Sequence, residues 1–396
     1  MDKLPSAVSL EVSIPFMLGS ASLAASYGSS FFLVEALRSI GQSATTAGAV
    51  ISTGTIATIL SSLVAGRIAD LLGLMRTITS AAAMIAAAMI CFASASILPL
   101  LAYVGGLLLG IGWSVFYILA PLQVLYHVQA ETRIKYLTLL SGSQMLGIGL
   151  AAPLARTVAE AIGSYIAVYS FFAVACVLGT MLLEFAGRAL AQAPQIKVPS
   201  VRLTFKGVLR AFKSNARYPI MMIGIGACVF AGLSTFQSLY ATSRALSPDT
   251  FFLAFTVTAV LFRFAVAPII GRFRLERVAA LLFACTIAGL VILFVNVGST
   301  TIYILGTAFF ALGYGLSYST LNSMVLHIAG NDEASFAIYS QVFTLSYFIG
   351  LFGFPYIAGQ VVKVSSVDCL LISMVMLITA NGVLLAIQVF STIRKH

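Results

Sequence analysis

The side chains best able to do chemistry in this chain are the few ionisable ones stranded in apolar runs: Glu35, Arg156, Glu160 and Arg263. A charge inside a membrane-spanning helix costs roughly 2.5–3.5 kcal/mol on insertion scales, so each calls for a partner or a function. Arg263 precedes Gly271 by eight residues, about 12 Å along a helix, and its own apolar run contains no acid. A guanidinium fork there suits a carboxylate or another anionic group, or else helix carbonyls and hydroxyls at a packing interface. Arg156 and Glu160 are four apart and can pair on one helix face. Glu35 can pair with Arg38, cap the outer gate, or carry a coupling proton if burial raises its pKa.

Other chemistry is missing from the pattern. There is no H-E-x-x-H, no G-x-S-x-G and no pair of intramembrane aspartates, so no enzyme activity is expected. There is no G-x-x-x-x-G-K-[ST], so ATP is not the direct energy source. Cys91, Cys176, Cys228, Cys285 and Cys369 lie singly in apolar stretches and read as ordinary buried thiols. Neither a metal nor a cofactor is expected.

The elements that must position these residues are long apolar helices. The chain has 396 residues, 60% hydrophobic and only 9% charged, whereas soluble proteins carry about a quarter charged residues. The apolar runs are continuous rather than alternating, which favours helices over a β-barrel. Runs at about 14–37, 45–66, 77–98, 101–125, 134–158 and 163–186, then 219–243, 250–271, 277–297, 300–327, 335–359 and 366–391, predict twelve transmembrane helices. The expected organisation is an all-α integral membrane protein with six-helix bundles at 1–187 and 218–396, joined by a linker at 188–217.

Basic residues crowd the segments that share a side with the N-terminus, among them Arg67, Arg76, Arg133 and Lys135. The bias places both termini in the cytoplasm, with a bacterial inner membrane expected. In the linker, Arg202, Lys206, Arg210, Lys213 and Arg217 fall on one helical stripe and Val201, Phe205, Val208, Leu209 and Phe212 on another. Such a helix lies on anionic lipid at the cytoplasmic surface, or docks an acidic protein. The net charge of +10 is thus membrane electrostatics rather than a nucleic-acid footprint.

An internal repeat supports six plus six helices. Leu109-Gly110-Ile111-Gly112-Trp113-Ser114 matches Leu312-Gly313-Tyr314-Gly315-Leu316-Ser317 at a shift of 203, and Tyr136, Ser143 and Gly147 match Tyr339, Ser346 and Gly350 at the same shift. Gly66-Arg67 and Gly271-Arg272 pair at a nearby shift. Two parallel halves suit a carrier with a site near the bilayer midplane better than a channel or a membrane enzyme.

After the second helix stands Gly66-Arg67-Ile68-Ala69-Asp70-Leu71-Leu72-Gly73-Leu74-Met75-Arg76. It resembles the G-x-x-x-D-(R/K)-x-G-x-(R/K)-(R/K) loop of the major facilitator superfamily. Gly66, Asp70, Gly73 and Arg76 fit, while Leu71 and Met75 replace basic residues. The glycines allow close packing and a tight turn. The resemblance gives Gly66, Asp70, Gly73 and Arg76 a role in conformational switching, with Glu35 as a further coupling or gating candidate.

Within that superfamily the chain resembles the small efflux-permease, drug:proton antiporter branch, with departures. Gly106 stands where the helix 4 arginine would be and Leu109 where the glutamine would be; the helix 5 signature survives as Gly142, Gly147, Gly149 and Ala152-Pro153. The resemblance implies a cavity lined by helices 1, 4, 7 and 10, with Tyr27, Ser30, Trp113, Tyr117, Gln237, Tyr240, Tyr314, Tyr318 and Asn322 as candidate contacts beside Arg263. Each of these could equally be a packing residue. The expected function is secondary transport of a small amphipathic or anionic solute by alternating access, as proton-coupled export. Uptake of an anionic metabolite or metal chelate is the alternative, and a monomer is expected.

Overall fold

The computed structural model describes residues 10–127, 133–190, 205–270, 273–329 and 333–393, and every regular element among them is helical. Contacts divide the chain into two compact units, residues 1–42 with 53–200 and residues 43–52 with 201–396. In chain order the helices are α1 (Leu10–Gly28), α2 (Leu33–Ser39), α3 (Ala44–Leu72), α4 (Leu74–Ala93), α5 (Leu100–His127), α6 (Arg133–Ile162) and α7 (Val168–Leu190). They continue with α8 (Phe205–Lys213), α9 (Arg217–Ser243), α10 (Pro248–Ile270), α11 (Leu275–Val295), α12 (Thr300–Ala329), α13 (Glu333–Val364) and α14 (Val367–Ile393).

Among the described residues, eleven helical stretches are long and apolar enough to cross a membrane, and they match eleven of the twelve expected runs. The eighth expected run falls on α10, a helix of 23 residues. Such runs fold as helices because a helix satisfies its backbone within one segment, where hydrocarbon offers no other partner. Val201, Arg202, Gly271 and Arg272 lie outside the described residues.

The first expected span is one helical path with a tightened turn: a 3-10 segment, Ser29–Phe32, joins α1 to α2. The Tyr169 hydroxyl donates to the Ser29 carbonyl at 3.0 Å, drawing an acceptor away from the regular α ladder. Gly28 lies so close to α6 that a Cβ would stand 2.6 Å from the Ile148 carbonyl.

Within each unit the same helix contacts recur. A Cβ on Gly147 of α6 would meet the Ala21 carbonyl of α1 at 2.2 Å, and one on Gly350 of α13 would meet the Gly224 carbonyl of α9 at 2.2 Å. Residues 21 and 224, like 147 and 350, are related by the shift of 203. The hairpins α4–α5 and α11–α12 also correspond, but in another register. Gly112 abuts the Ala81 carbonyl and Gly313 the Leu282 carbonyl, while Gly105 abuts Phe92 and Gly306 abuts Leu293. All of these pairs are 201 apart, so the Leu109–Ser114 and Leu312–Ser317 match is two residues out of structural register. Two glycines spaced i, i+2 allow either alignment by letter, whereas only one of each pair faces its hairpin partner; Gly110 meets Gly54 of α3 instead, and Gly315 meets Ala259 of α10.

Candidate functional site

In the first unit α1 and α5 bring Tyr27 and Trp113 into a near-parallel stack, with centroids 4.5 Å apart and planes within 6°. Tyr117, one turn along α5, lies 5.7 Å from Trp113. Ser30 sits buried in the 3-10 turn. In the second unit α9 and α12 form an equivalent stack, Phe230 on Tyr314, at 4.6 Å and 2°. Tyr27 and Phe230 are 203 apart and Trp113 and Tyr314 are 201 apart, so these rings occupy equivalent places in the two registers. Offset stacking of this kind holds helices rigidly and provides a flat apolar wall.

Arg263 is half-buried on α10 and donates from Nη2 to the Gly315 carbonyl of α12 at 3.2 Å. A Cβ at Gly315 would stand 3.4 Å from the Ala259 Cβ, so α10 and α12 lie in ordinary contact at that crossing. Around it are three tyrosines. Tyr347 of α13 lies near Tyr314, Tyr318 and Arg263. Tyr318 meets Tyr347 edge-on at 5.4 Å and Phe343 at 5.2 Å. A cation and phenolic hydroxyls are thereby gathered against an aromatic wall, a combination able to hold an anionic group while excluding water.

Tyr240 and Gln237 are placed differently. Tyr240 is fully buried, donates to the Leu293 carbonyl at 2.7 Å, and carries the Arg244 guanidinium 4.4 Å above its ring. Gln237 donates from Nε2 to the Tyr303 hydroxyl, and its Oε1 has no hydrogen-bond partner among the described residues. The Asn322 Oδ1 is likewise buried without one.

Three hydroxyls on α9 were missed from the sequence. Helical Ser and Thr usually return the hydroxyl to a carbonyl one turn back, as Thr256, Thr307, Ser317 and Thr320 do. The buried hydroxyls of Ser234, Thr235 and Ser238 make no such bond among the described residues. They begin one turn beyond Phe230 on one side of α9, where solute hydroxyl or amide groups could complete them. Their one legible signal is clustering, three small polar residues in five positions.

Residues 16–353 match the sequence profile of the Major Facilitator Superfamily. The chain belongs to that superfamily. It is a multi-pass membrane protein with a transporter fold. Among solved structures, the POT family transporter PepTSo overlays with a TM-score of 0.76 at 14% identity, covering 98% of this chain and 99% of that one. The nucleoside transporter NupG overlays at 0.72 and 13% identity, with 96% and 98% covered. The human organic anion transporter TETRAN overlays at 0.71 and 14% identity, with 95% and 99% covered. These similarities show a shared fold. The search of curated proteins finds no match.

In this superfamily member the loop from Gly66 to Arg76 is a one-residue turn. Gly73 has φ +89° and ψ 146°, its N–H donates to the Ala69 carbonyl at 2.9 Å, and its carbonyl accepts from Thr77 N–H and Oγ1. Asp70 lies in the last turn of α3 and Arg76 in the first turn of α4, both exposed. Gly66 has open space where a Cβ would stand, so the close packing expected there is absent among the described residues.

The ion pair read from spacing is also corrected. Arg156 donates from Nη2 to Glu35 Oε1 at 2.6 Å, joining α6 to α2, while Glu160 is exposed. The side chains of Arg156 and Glu35 are only 20% and 17% exposed, so tertiary packing selects a cross-helix partner over the one available along the helix. In the second unit Arg244 bonds Asp368 at 2.5 Å and the Asn296 carbonyl at 2.6 Å, tying the end of α9 to α14 and to the α11–α12 turn.

Proposed function

We propose that this superfamily member is a secondary active transporter of the efflux-permease type, exporting a small amphipathic anionic solute by alternating access in exchange for protons. The observation that carries the reading is Arg263, held at the Gly315 carbonyl beside Tyr314, Tyr318 and Tyr347. An arginine this deep in an apolar helix is retained against a cost of roughly 2.5–3.5 kcal/mol, and an anionic cargo gives it a use. The aromatic wall takes the apolar part of the solute, and the hydroxyls of Ser234, Thr235 and Ser238 take its neutral polar groups. Glu35 is the proposed coupling carboxylate: protonation removes the charge that holds Arg156 and frees α6 from α2.

The test is flux in proteoliposomes with an imposed proton gradient, using fluorescent amphipathic carboxylates and their neutral amides as paired probes. The carboxylates should move faster, with net movement outward against incoming protons. Arg263→Gln should erase the preference for carboxylates, and Glu35→Gln should leave exchange without its response to the gradient. Flux indifferent to the gradient in the unaltered protein overturns proton coupling, and an unchanged carboxylate preference in Arg263→Gln overturns the anion site. Net inward movement would assign the protein to uptake of anionic metabolites or chelates.

A further inference from the structure

The helix α8 has three distinct sides in nine residues. Gly207 and Ala211 are buried, and this small-residue side is the one that packs on α13 and α9. Phe205, Leu209 and Phe212 are 84%, 45% and 41% exposed. Lys206, Arg210 and Lys213 are exposed as well. At 100° per residue the apolar three and the basic three each span roughly 60°, with centres about 100° apart. The helix thus keeps one side against the protein and turns an apolar side and a neighbouring basic side away from it.

Its position is also defined. Ser214 N–H donates to the Arg210 carbonyl, Ser214 Oγ donates to the Ala211 carbonyl, and Ala216 N–H donates to Ser214 Oγ, closing α8 and turning the chain directly into α9. The helix α9 begins at Arg217 and is long and apolar enough to cross a membrane. An apolar side with adjacent cations at the entrance of a spanning helix lies where acyl chains meet headgroups.

We propose that α8 is a lipid-binding helix whose partner is the anionic phospholipid surface of the membrane that α9 enters. Phe205, Leu209 and Phe212 insert beside the acyl chains, and Lys206, Arg210 and Lys213 engage anionic headgroups. Charge complementarity favours this occupant, since α8 carries three cations and no acid. An acidic protein segment would match the cations but leave large aromatic side chains in water. Each basic residue near an anionic surface contributes about fivefold in affinity, so the three together contribute on the order of a hundredfold.

The test uses the full chain in nanodiscs with Phe205→Trp as reporter, the unaltered protein supplying the background from Trp113. In phosphatidylglycerol nanodiscs the new tryptophan should emit to the blue and be quenched by brominated phosphatidylglycerol. In mixed discs it should be quenched more by brominated phosphatidylglycerol than by brominated phosphatidylcholine. Adding Lys206→Gln, Arg210→Gln and Lys213→Gln should abolish that preference. Phe212→Trp, on the same side of α8, must agree if the first reporter is not perturbing the helix. Emission like that of tryptophan in water, with no quenching by either lipid, overturns the proposal. Binding of polyglutamate to a helix whose reporter stays unquenched also overturns it and assigns the surface to an acidic protein.

Discussion

Replacing Gly350 with alanine tests how tightly α9 and α13 are locked. The added Cβ would lie 2.2 Å from the Gly224 carbonyl, 3.0 Å from Ala227 Cβ and 3.1 Å from the Cys228 amide nitrogen. Restoring an ordinary 3.4 Å contact to the carbonyl needs about 1.2 Å of helix separation, and the nearest obstructing atom is backbone. Overpacking of this kind costs about 1–3 kcal/mol, while alanine returns up to about 1 kcal/mol of helix propensity. Gly226→Ala on the buried side of α9 is the matched control, because a Cβ there meets nothing within 4 Å. The propensity gain cancels between the two variants, leaving a difference of about 1–3 kcal/mol, or about 2–12 °C for a unit of this size. Thermal unfolding in detergent, followed by dye reaction with the thiol of Cys228 on α9 in the same unit, measures it. Gly147→Ala should behave like Gly350→Ala because it faces the Ala21 carbonyl at the same 2.2 Å. A Gly350→Ala protein as stable as Gly226→Ala would refute the close-packing argument.

Further outcomes follow from the same geometry. Gly73→Ala should cost about 1–3 kcal/mol, because φ +89° with ψ 146° is nearly glycine-only, whereas Gly66→Ala should be neutral or stabilising; equal melting of the two would contradict the turn. A double-mutant cycle of Glu35→Gln and Arg156→Gln should show about 1–3 kcal/mol of coupling, and additivity would remove the cross-helix pair. Ser234→Ala should raise stability by about 1 kcal/mol, by deleting a buried hydroxyl without a partner among the described residues. It should also weaken transport of hydroxyl-bearing solutes; lower stability would mean that the hydroxyl is already satisfied.

The helices were legible in the sequence because a membrane imposes a length and an apolarity on each of them. The run predicted at 77–98, for example, is met by α4 and its short 3-10 extension. The turn at Gly73 was legible too, since a glycine between two helices marks the one backbone geometry that other residues avoid. The break after Gly28 was not, and the Ser29 carbonyl within it is bonded by Tyr169, 140 positions away. The site was legible in part. Arg263 stood out by its cost in hydrocarbon, but its neighbour Tyr347 lies on another helix and has no distinguishing spacing. Tyr240 was singled out as a lining residue by its helix, yet its hydroxyl is taken by Leu293 and its ring by Arg244.

From its sequence alone this protein could be read as a helical membrane carrier with a duplicated chain and the Gly66–Arg76 loop of its superfamily. Those properties are written in composition, run length and repeated letters, which need no knowledge of partners. Only the tertiary structure decided which register the repeat takes in α5 and α12, and which acid holds Arg156. It alone showed which face of α8 meets the protein and which hydroxyls of α9 lack a carbonyl among the described residues. Each depends on the rotation of one helix against another, and a helical period says which residues share a face but not what that face meets.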